Sequence, residues 1–265
     1  MYETYEQLKF ERRGLIMQVR IDNPPLNAMN RTLHKELMNV WADLQADDEV
    51  SVVILTGTGK AFSAGADLNK ALARVEAGNH DDWLIGMREA KRLVYNMLDF
   101  EKPVIAALNG HAIGLGATIA TFCDIVVAAE DIKIADTHVK IGLVAGDGGA
   151  LMWPQNMGFA RAKEYLLTGR IMTARQAADF GLINHAVPRD ELEAKTMELA
   201  EEIAALPAAA TAGTKAVINS VLRRTFAGLM ENHLGWETWT YLSPNHKEAL
   251  SAFLDKRSPS FSGPR

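Results

Sequence analysis

The stretch from Val104 to Asp124 constrains the fold of this 265-residue chain more than any other. Val104 to Leu108 is an unbroken apolar run of the kind that forms a buried strand. It leads straight into Asn109-Gly110-His111-Ala112-Ile113-Gly114-Leu115-Gly116. Glycines without Cβ atoms let the backbone turn tightly there and approach a neighbouring segment closely. From Leu115 the small and apolar residues continue as a helix. The first turn of such a helix has free N–H groups facing the glycine turn, at the positive end of the helix dipole. An end of this kind receives an anion, or an oxygen that gains negative charge during a reaction. Strand, glycine turn and helix also occur together in α/β proteins for packing alone, so this stretch by itself assigns no function.

A second stretch adds to it. Lys60 to Leu68, Lys-Ala-Phe-Ser-Ala-Gly-Ala-Asp-Leu, follows another buried strand from Ser51 to Thr56. Asn23-Pro24-Pro25-Leu26-Asn27-Ala28 precedes both stretches. Cys123-Asp124-Ile125, Leu167-Thr168-Gly169-Arg170, Ala177 and Gly181-Leu182 follow them. This ordered set resembles the enoyl-CoA hydratase/isomerase (crotonase) superfamily over nearly the whole chain. The resemblance implies an α/β fold, a crotonase-like spiral of ββα units over residues 1–188, with a C-terminal helical subdomain over 189–265. It also implies an acyl-CoA thioester substrate, with no cofactor beyond the CoA that the substrate carries. The thioester oxygen would sit between the N–H groups of Ala66 and Leu115, and the Ala64 carbonyl would meet the adenine. Asp67, Gly114 and Thr118 fall at further substrate-side positions. Leu115 stands where the family usually has glycine, which keeps the donor but narrows the space beside the thioester.

Composition narrows the alternatives. Hydrophobic residues at 48% and charged residues at 23% suit a folded globular chain of one large domain. A net charge of −5 argues against nucleic acid as a partner, because phosphate recognition needs a concentrated basic surface. The single cysteine, Cys123, excludes an internal disulfide, fits a reducing compartment and lies in an apolar run that suits packing. No signal peptide and no membrane-length apolar run is visible, so a cytoplasmic protein is expected.

Read in order, Leu8 to Arg12 and Leu15 to Ile21 form a hairpin around Arg13-Gly14. Asn30 caps a helix through Gln45, with Leu33, Leu37, Val40, Trp41 and Leu44 at helical spacing. Asn69 to Asp82 is polar and reads as a mobile segment, either a lid or a plain connection. Trp83 to Phe100 is helical. Two short strands, Ile125 to Ala128 and Ile132 to Ala135, precede a loop from Asp136 to Gly149. Helical stretches then run to Phe180. The alternation of strand and helix specifies α/β, but periodicity does not separate the spiral from a doubly wound sheet. Beyond Arg189 only helices are expected: Glu191 to Leu206, Ala208 to Thr225, Leu229 to Tyr241 and Lys247 to Asp255. The resemblance implies that these pack onto neighbouring subunits in a homotrimer or hexamer. Ser258 to Arg265 reads as a loose tail.

The proton-transfer chemistry departs from the family. Its best-known hydratases use two glutamates, and the matching positions here are Thr118 and His138. Thr118 is no useful base near neutral pH. His138 titrates close to neutrality and can both accept and give a proton. Asp147 follows nine residues later. This spacing resembles a subgroup that includes 6-oxocamphor hydrolase, whose members cleave a C–C bond between two carbonyls using a histidine and an aspartate. An aspartate so placed would hold the imidazole in one tautomer and stabilise its protonated form. Asp147 could equally cap the helix that follows it. His111 and Asp67 read as bracing residues, while His233, Trp236, Glu237 and Trp239 lie on a C-terminal helix that in relatives of the family can reach the acyl pocket, with a spacing that fits core packing just as well. No close His/Cys/carboxylate cluster is visible, so no metal site is expected. An enoyl-CoA hydratase/isomerase, a C–C hydrolase of a β-dicarbonyl substrate, and a non-catalytic CoA- or RNA-binding assembly protein all stay open.

Overall fold

The structure, a computed structural model, describes residues 2–262. Strands β1 (Leu8–Arg13) and β2 (Ile16–Ile21) pair antiparallel in the expected hairpin. Helix α1 (Arg31–Ala46) begins at Asn30, whose side-chain oxygen accepts from the Leu33 N–H at 2.9 Å. It buries Leu33, Leu37, Val40, Trp41 and Leu44. Then follow β3 (Val52–Gly57), β4 (Ala61–Ser63), α2 (Leu68–Glu76), α3 (His80–Asp99), β5 (Val104–Leu108), β6 (His111–Ile113) and α4 (Leu115–Phe122). Strands β7 (Ile125–Ala129) and β8 (Lys133–Ala135) precede a single 3-10 turn, His138–Ile141. The chain continues through α5 (Gly149–Met157), α6 (Phe159–Thr168), β9 (Met172–Thr173), α7 (Ala174–Asp179) and β10 (His185–Val187). It ends in α8 (Leu192–Ala204), α9 (Ala208–Ala227), α10 (Met230–Tyr241) and α11 (Pro244–Leu254).

The strands separate into two sheets. The larger has the order β1-β2-β3-β5-β7-β10 and the smaller β4-β6-β8-β9. Each of β3–β4, β5–β6 and β7–β8 therefore turns one corner, leaving one strand in each sheet before the chain passes into helical or irregular structure. This is the mixed α/β spiral expected, with mostly parallel pairing. The central strands β3 and β5 are buried along their whole length because both faces are covered. The corner strands β4, β6 and β8 have three residues each, too few to show a period, and only β8 was foreshadowed in the sequence. In the C-terminal half, Lys215 of α9 is buried, 2.7 Å from Asp124 Oδ2, and donates to the Lys102 carbonyl. That contact ties the helical part to the end of α4 and gives Asp124 its structural role.

One expectation is corrected. The polar Asn69 to Asp82 segment is not a mobile loop but the body of α2 and the start of α3. Asp67 caps α2 by accepting from the Lys70 N–H, and Asn79 caps α3 by accepting from the Asp82 N–H. These caps supply the ends that the polar composition concealed. The tail is also tethered as far as it is described: the Ser260 N–H donates to Glu248 and the Ser262 N–H to Asn245. Gly263, Pro264 and Arg265 lie outside the described residues.

The Asn23–Ala28 stretch straps the first corner in place. Asn27 is buried at φ +52°, a left-handed conformation that asparagine tolerates better than most residues. Its Nδ2 donates to the carbonyls of Thr58 and Ala61 at 3.0 and 2.8 Å, and its Oδ1 accepts from the Asn23 N–H. Asn27→Ala leaves these groups unpaired and puts a Cβ-bearing residue without a local hydrogen bond in the left-handed region. A loss of about 2–4 kcal/mol in unfolding free energy is expected by chemical denaturation. A change below about 0.5 kcal/mol would show that the strap is not holding the corner.

Candidate active site

Two backbone turns meet at the centre of the molecule. Gly65 lies at φ +75° and Gly114 at φ +55°. A Cβ on Gly65 would stand 2.6 Å from the Ile113 carbonyl oxygen and 3.6 Å from Gly114 Cα, so the two turns touch through backbone alone. The first turn is held from below by Met29, whose N–H donates to the Gly65 carbonyl at 2.7 Å, and by Ser63 Oγ, which accepts from the Gly65 N–H. The second is held by the Gly114 N–H, which donates to the Ala135 carbonyl at 2.8 Å. Next along the chain come the Ala66 and Leu115 N–H groups. Neither donates to a protein acceptor among the described residues. Ala66 is exposed and Leu115, the first residue of α4, is half-buried. Two unpaired donors on adjoining turns can receive one oxygen.

A cluster of ionisable side chains adjoins them. Because β8 lies beside β6, the chain leaving Ala135 places Asp136 and His138 over Gly114. A Cβ on Gly114 would stand 3.8 Å from His138 Cε1. The His138 ring is held between two carboxylates. Its Nδ1 is 2.7 Å from Asp136 Oδ1, which also accepts from the His138 backbone N–H at 3.2 Å. Its Nε2 is 3.5 Å from Asp147 Oδ2. Thr118, on the second turn of α4, donates to Asp147 Oδ1 at 3.2 Å. Glu237 of α10 reaches in from the C-terminal helices and packs its carboxyl against Gly146. Asp136, Asp147, Thr118 and Glu237 are all buried, and Asp136 Oδ2 and Glu237 Oε2 have no partner among the described residues.

Three carboxyl groups around one imidazole cannot all be ionised cheaply out of water. Burial would depress the imidazole, but the charges of Asp136 and Asp147 and the bond to Asp136 outweigh it and hold His138 well above its ordinary range. Burial raises Asp147, as does Asp136, against the opposing pull of His138, Thr118 and the Gly149 N–H. Burial raises Glu237 most strongly, reinforced by Asp147 and Asp136. The arrangement therefore favours an imidazolium paired with carboxylate and a Glu237 that keeps its proton. It holds an acid and a base within one dry pocket.

The structure thus brings together Ala66, Gly114, Leu115, Thr118, His138 and Asp147. Asp67 caps α2 and accepts from Lys70, and His111 accepts at Nδ1 from the Lys133 N–H, so both are bracing residues. Ala64 donates its N–H to the Leu26 carbonyl at the edge of the first turn. The residue on His138 Nδ1 is Asp136, not Asp147, and the N-cap of α5 is Gly148, which has no side chain to cap it. Sequence reasoning passed over Asp136 and left Glu237 open between core packing and the acyl pocket. A signal existed for the second: Met230, Leu234, Glu237 and Tyr241 form the buried face of α10, and a carboxylate on that stripe needs a reason. As for metal, Asp136, His138 and Asp147 could each offer one ligand atom, these lying within 4.8 Å of one another. Asp136 and Asp147 approach different ring nitrogens, however, which suits proton sharing better than a common ion.

Such a spiral, with paired donor turns beside buried acid–base groups, defines an α/β enzyme of the crotonase fold. The family model for enoyl-CoA hydratase/isomerase matches residues 11–264, and the chain belongs to that family. It is 33% identical over 249 residues to 1,2-epoxyphenylacetyl-CoA isomerase of Escherichia coli K12, covering 94% of this chain and 95% of that one. It is 31% identical over 259 residues to 2,3-dehydroadipyl-CoA hydratase of the same organism, covering 97% and 99%. A crystal structure of an enoyl-CoA hydratase/isomerase from Mycobacterium paratuberculosis superimposes with a TM-score of 0.89 at 33% identity, covering 94% and 99%. No described helix is long and apolar enough to cross a membrane.

The charge pattern sets a pH dependence. His138 and Glu237 both have folded-state affinities for protons above their unfolded values of 6.5 and 4.5. Their proton-linked stability is full below those unfolded values and is lost as pH rises toward the folded ones. Unfolding free energy should therefore fall between about pH 5 and 8, and Glu237→Gln, which carries no titrating proton, should flatten that fall. Equal slopes for wild type and Glu237→Gln in denaturant titrations across this range would show that Glu237 is ionised in the folded protein.

Proposed function

We propose that the enzyme processes an acyl-CoA thioester of the enoyl-CoA hydratase/isomerase type. The thioester oxygen lies between the Ala66 and Leu115 N–H groups, and the cluster around His138 moves the proton. The observation that carries this is the His138 ring, held between Asp136 and Asp147 directly beside the turn that bears the free Leu115 N–H. Withdrawing a proton from carbon next to a thioester leaves charge on the oxygen, and two fixed donors stabilise that charge as it forms. Asp147, paired with the His138 imidazolium, takes up a proton from water or from the substrate carbon, while Glu237, whose proton affinity burial raises, can supply one. Together they do what two glutamates do in the better-known hydratases. Asp136 keeps the ring oriented, and Thr118 holds Asp147 from the position where a glutamate would stand. The Ala64 carbonyl takes the adenine end of CoA.

A second reading is C–C cleavage of a β-dicarbonyl acyl-CoA. It is favoured by the imidazolium form of His138, which is suited to protonating the enolate that leaves when such a bond breaks. The net charge of −5 gives no support to an RNA-binding role. We further propose a homotrimer or hexamer, assembled on the apolar outer faces of α9 and α10, where Val217, Ile218, Val221, Trp236 and Trp239 are exposed.

Ala66→Pro removes one donor outright and should lower turnover of the best acyl-CoA by about a hundredfold or more. His138→Ala should lower it by about 10²–10⁴-fold with CoA affinity by calorimetry nearly unchanged. Asp147→Asn should fall by a similar or smaller factor. A panel of enoyl-CoA and β-keto acyl-CoA thioesters separates the two reactions. Absence of acyl-CoA binding by the wild-type enzyme would refute the proposal, and near-normal rates in both His138→Ala and Asp147→Asn would remove the pair from the chemistry.

A further inference from the structure

Glu237 is 2% exposed, and an acid so enclosed must regain each proton that it gives. Three of the enclosed side-chain atoms without a partner among the described residues lie on α10: His233 Nδ1, Glu237 Oε2 and Tyr241 Oη. Their spacing sets them in one row along a side of the helix, rising about 6 Å at each step. The row is closed at one end, where the Tyr241 ring stacks on Trp83 and lies 5.5 Å from the His246 ring. It is open at the other. His233 is half-buried, at the border between the buried face of Met230, Leu234 and Glu237 and the exposed Asn232 and Trp236. Its Nδ1 is enclosed, whereas its Nε2 is neither enclosed nor bonded among the described residues.

Gly146 closes the loop that carries Asp147 over the turn of α10 between these two residues. A Cβ on Gly146 would stand 2.5 Å from the His233 carbonyl oxygen and 2.8 Å from Glu237 Oε2. Buried polar atoms without a protein partner are normally met by water, and His233 Nδ1 and Glu237 Oε2 are two such atoms one turn apart. Burial lowers the proton affinity of His233, so its ring is neutral near neutral pH and can take a proton at one nitrogen while giving one from the other. Resting on the acyl-CoA reading above, we infer that His233 is a proton relay, acting through Glu237 by bringing protons from solvent to that buried carboxylate. The ring starts with its hydrogen on Nδ1. Solvent gives a proton to Nε2, and Nδ1 gives one to the ionised Glu237 across one bridging water. One proton enters the ring and one leaves, so the ring and Glu237 both end neutral, and exchange with solvent restores the first tautomer.

The test starts without substrate. In infrared spectra of the whole enzyme, the protonated-carboxyl band that Glu237→Gln removes belongs to Glu237, and rapid mixing with heavy water shifts it as its proton exchanges. His233→Leu is expected to slow that exchange by about 10²-fold, and added imidazole is expected to restore it. Turnover of the best thioester should fall in the same variant with KM unchanged, show a larger solvent isotope effect, and recover with imidazole. Thermal melting establishes that the variant is folded. Exchange and turnover at wild-type rates in folded His233→Leu overturn the relay and leave the acyl-CoA reading standing. A slowing that imidazole does not relieve also overturns it and makes His233 a packing residue. The absence of any band lost in Glu237→Gln overturns it as well, since Glu237 then holds no proton. If exchange depends on His233 but the wild type turns over no thioester, the acyl-CoA reading falls alone and the proton path stands.

Discussion

The contact between the Gly65 and Gly114 turns is the constraint on which the rest of the site depends. Two backbones approach closely enough that a single Cβ on Gly65 would collide with the Ile113 carbonyl. That closeness brings the residues that follow each glycine, Ala66 and Leu115, onto adjoining turns. It requires each turn to follow a strand corner, and it requires the corners to be stacked by the two sheets. Much of the local hydrogen bonding serves this end: Asn27 pins the Thr58 and Ala61 carbonyls, Met29 holds the Gly65 carbonyl, and Ala135 holds the Gly114 N–H. Donors fixed in this way need no reorganisation when charge appears, which is where their advantage over water lies.

The same stacking explains why the acid–base groups come from such different parts of the chain. The end of β8 delivers Asp136 and His138, the loop before α5 delivers Asp147, and α10 delivers Glu237. Each is carried into a region with too little water to solvate a charge. The cluster resolves the cost by sharing protons: one imidazolium answers the adjacent carboxylates, and the carboxyl farthest from compensation, Glu237, is pushed to its neutral form. Replacing a glutamate with Thr118 therefore does not empty the position. The hydroxyl donates to Asp147, so a buried carboxylate stands next to that position.

Where the sequence could be read, local chemistry dominated. The cap at Asn30 and the stripe Leu33, Leu37, Val40, Trp41 and Leu44 give α1 almost to the residue, and the glycines of Asn109 to Gly116 give the turn before α4. The donor turns and the pairing of His138 with a carboxylate were within reach because family spacing carries them. The remainder depends on long-range geometry. Asp136 lies two residues from His138, yet nothing in a single sequence says that its side chain folds back onto the ring. Glu237 is 99 residues beyond His138, and its role appears only when α10 packs on Gly146. The short strands β4, β6 and β9 have no period to detect, and the polar Asn69 to Asp82 segment concealed two helix starts whose caps were present at Asp67 and Asn79.

Helix α10 shows how closely chemistry and surface are joined in this fold. Its inner face carries Met230, Leu234, Glu237 and Tyr241, and its outer face carries Trp236 and Trp239, which with Asn232 and Gly235 line a groove of about 490 Å³. The two faces lie on opposite sides of one helix. The protonated state of Glu237 depends on water staying out, so anything that loosens α10 from Gly146 also lowers the affinity of Glu237 for its proton. Trp83 opposes such loosening from the other side, stacked on Tyr241 at 4.0 Å between ring centroids and bonded to Thr238. A helix whose sequence spacing fits core packing therefore also carries a buried carboxyl whose proton affinity its own packing raises.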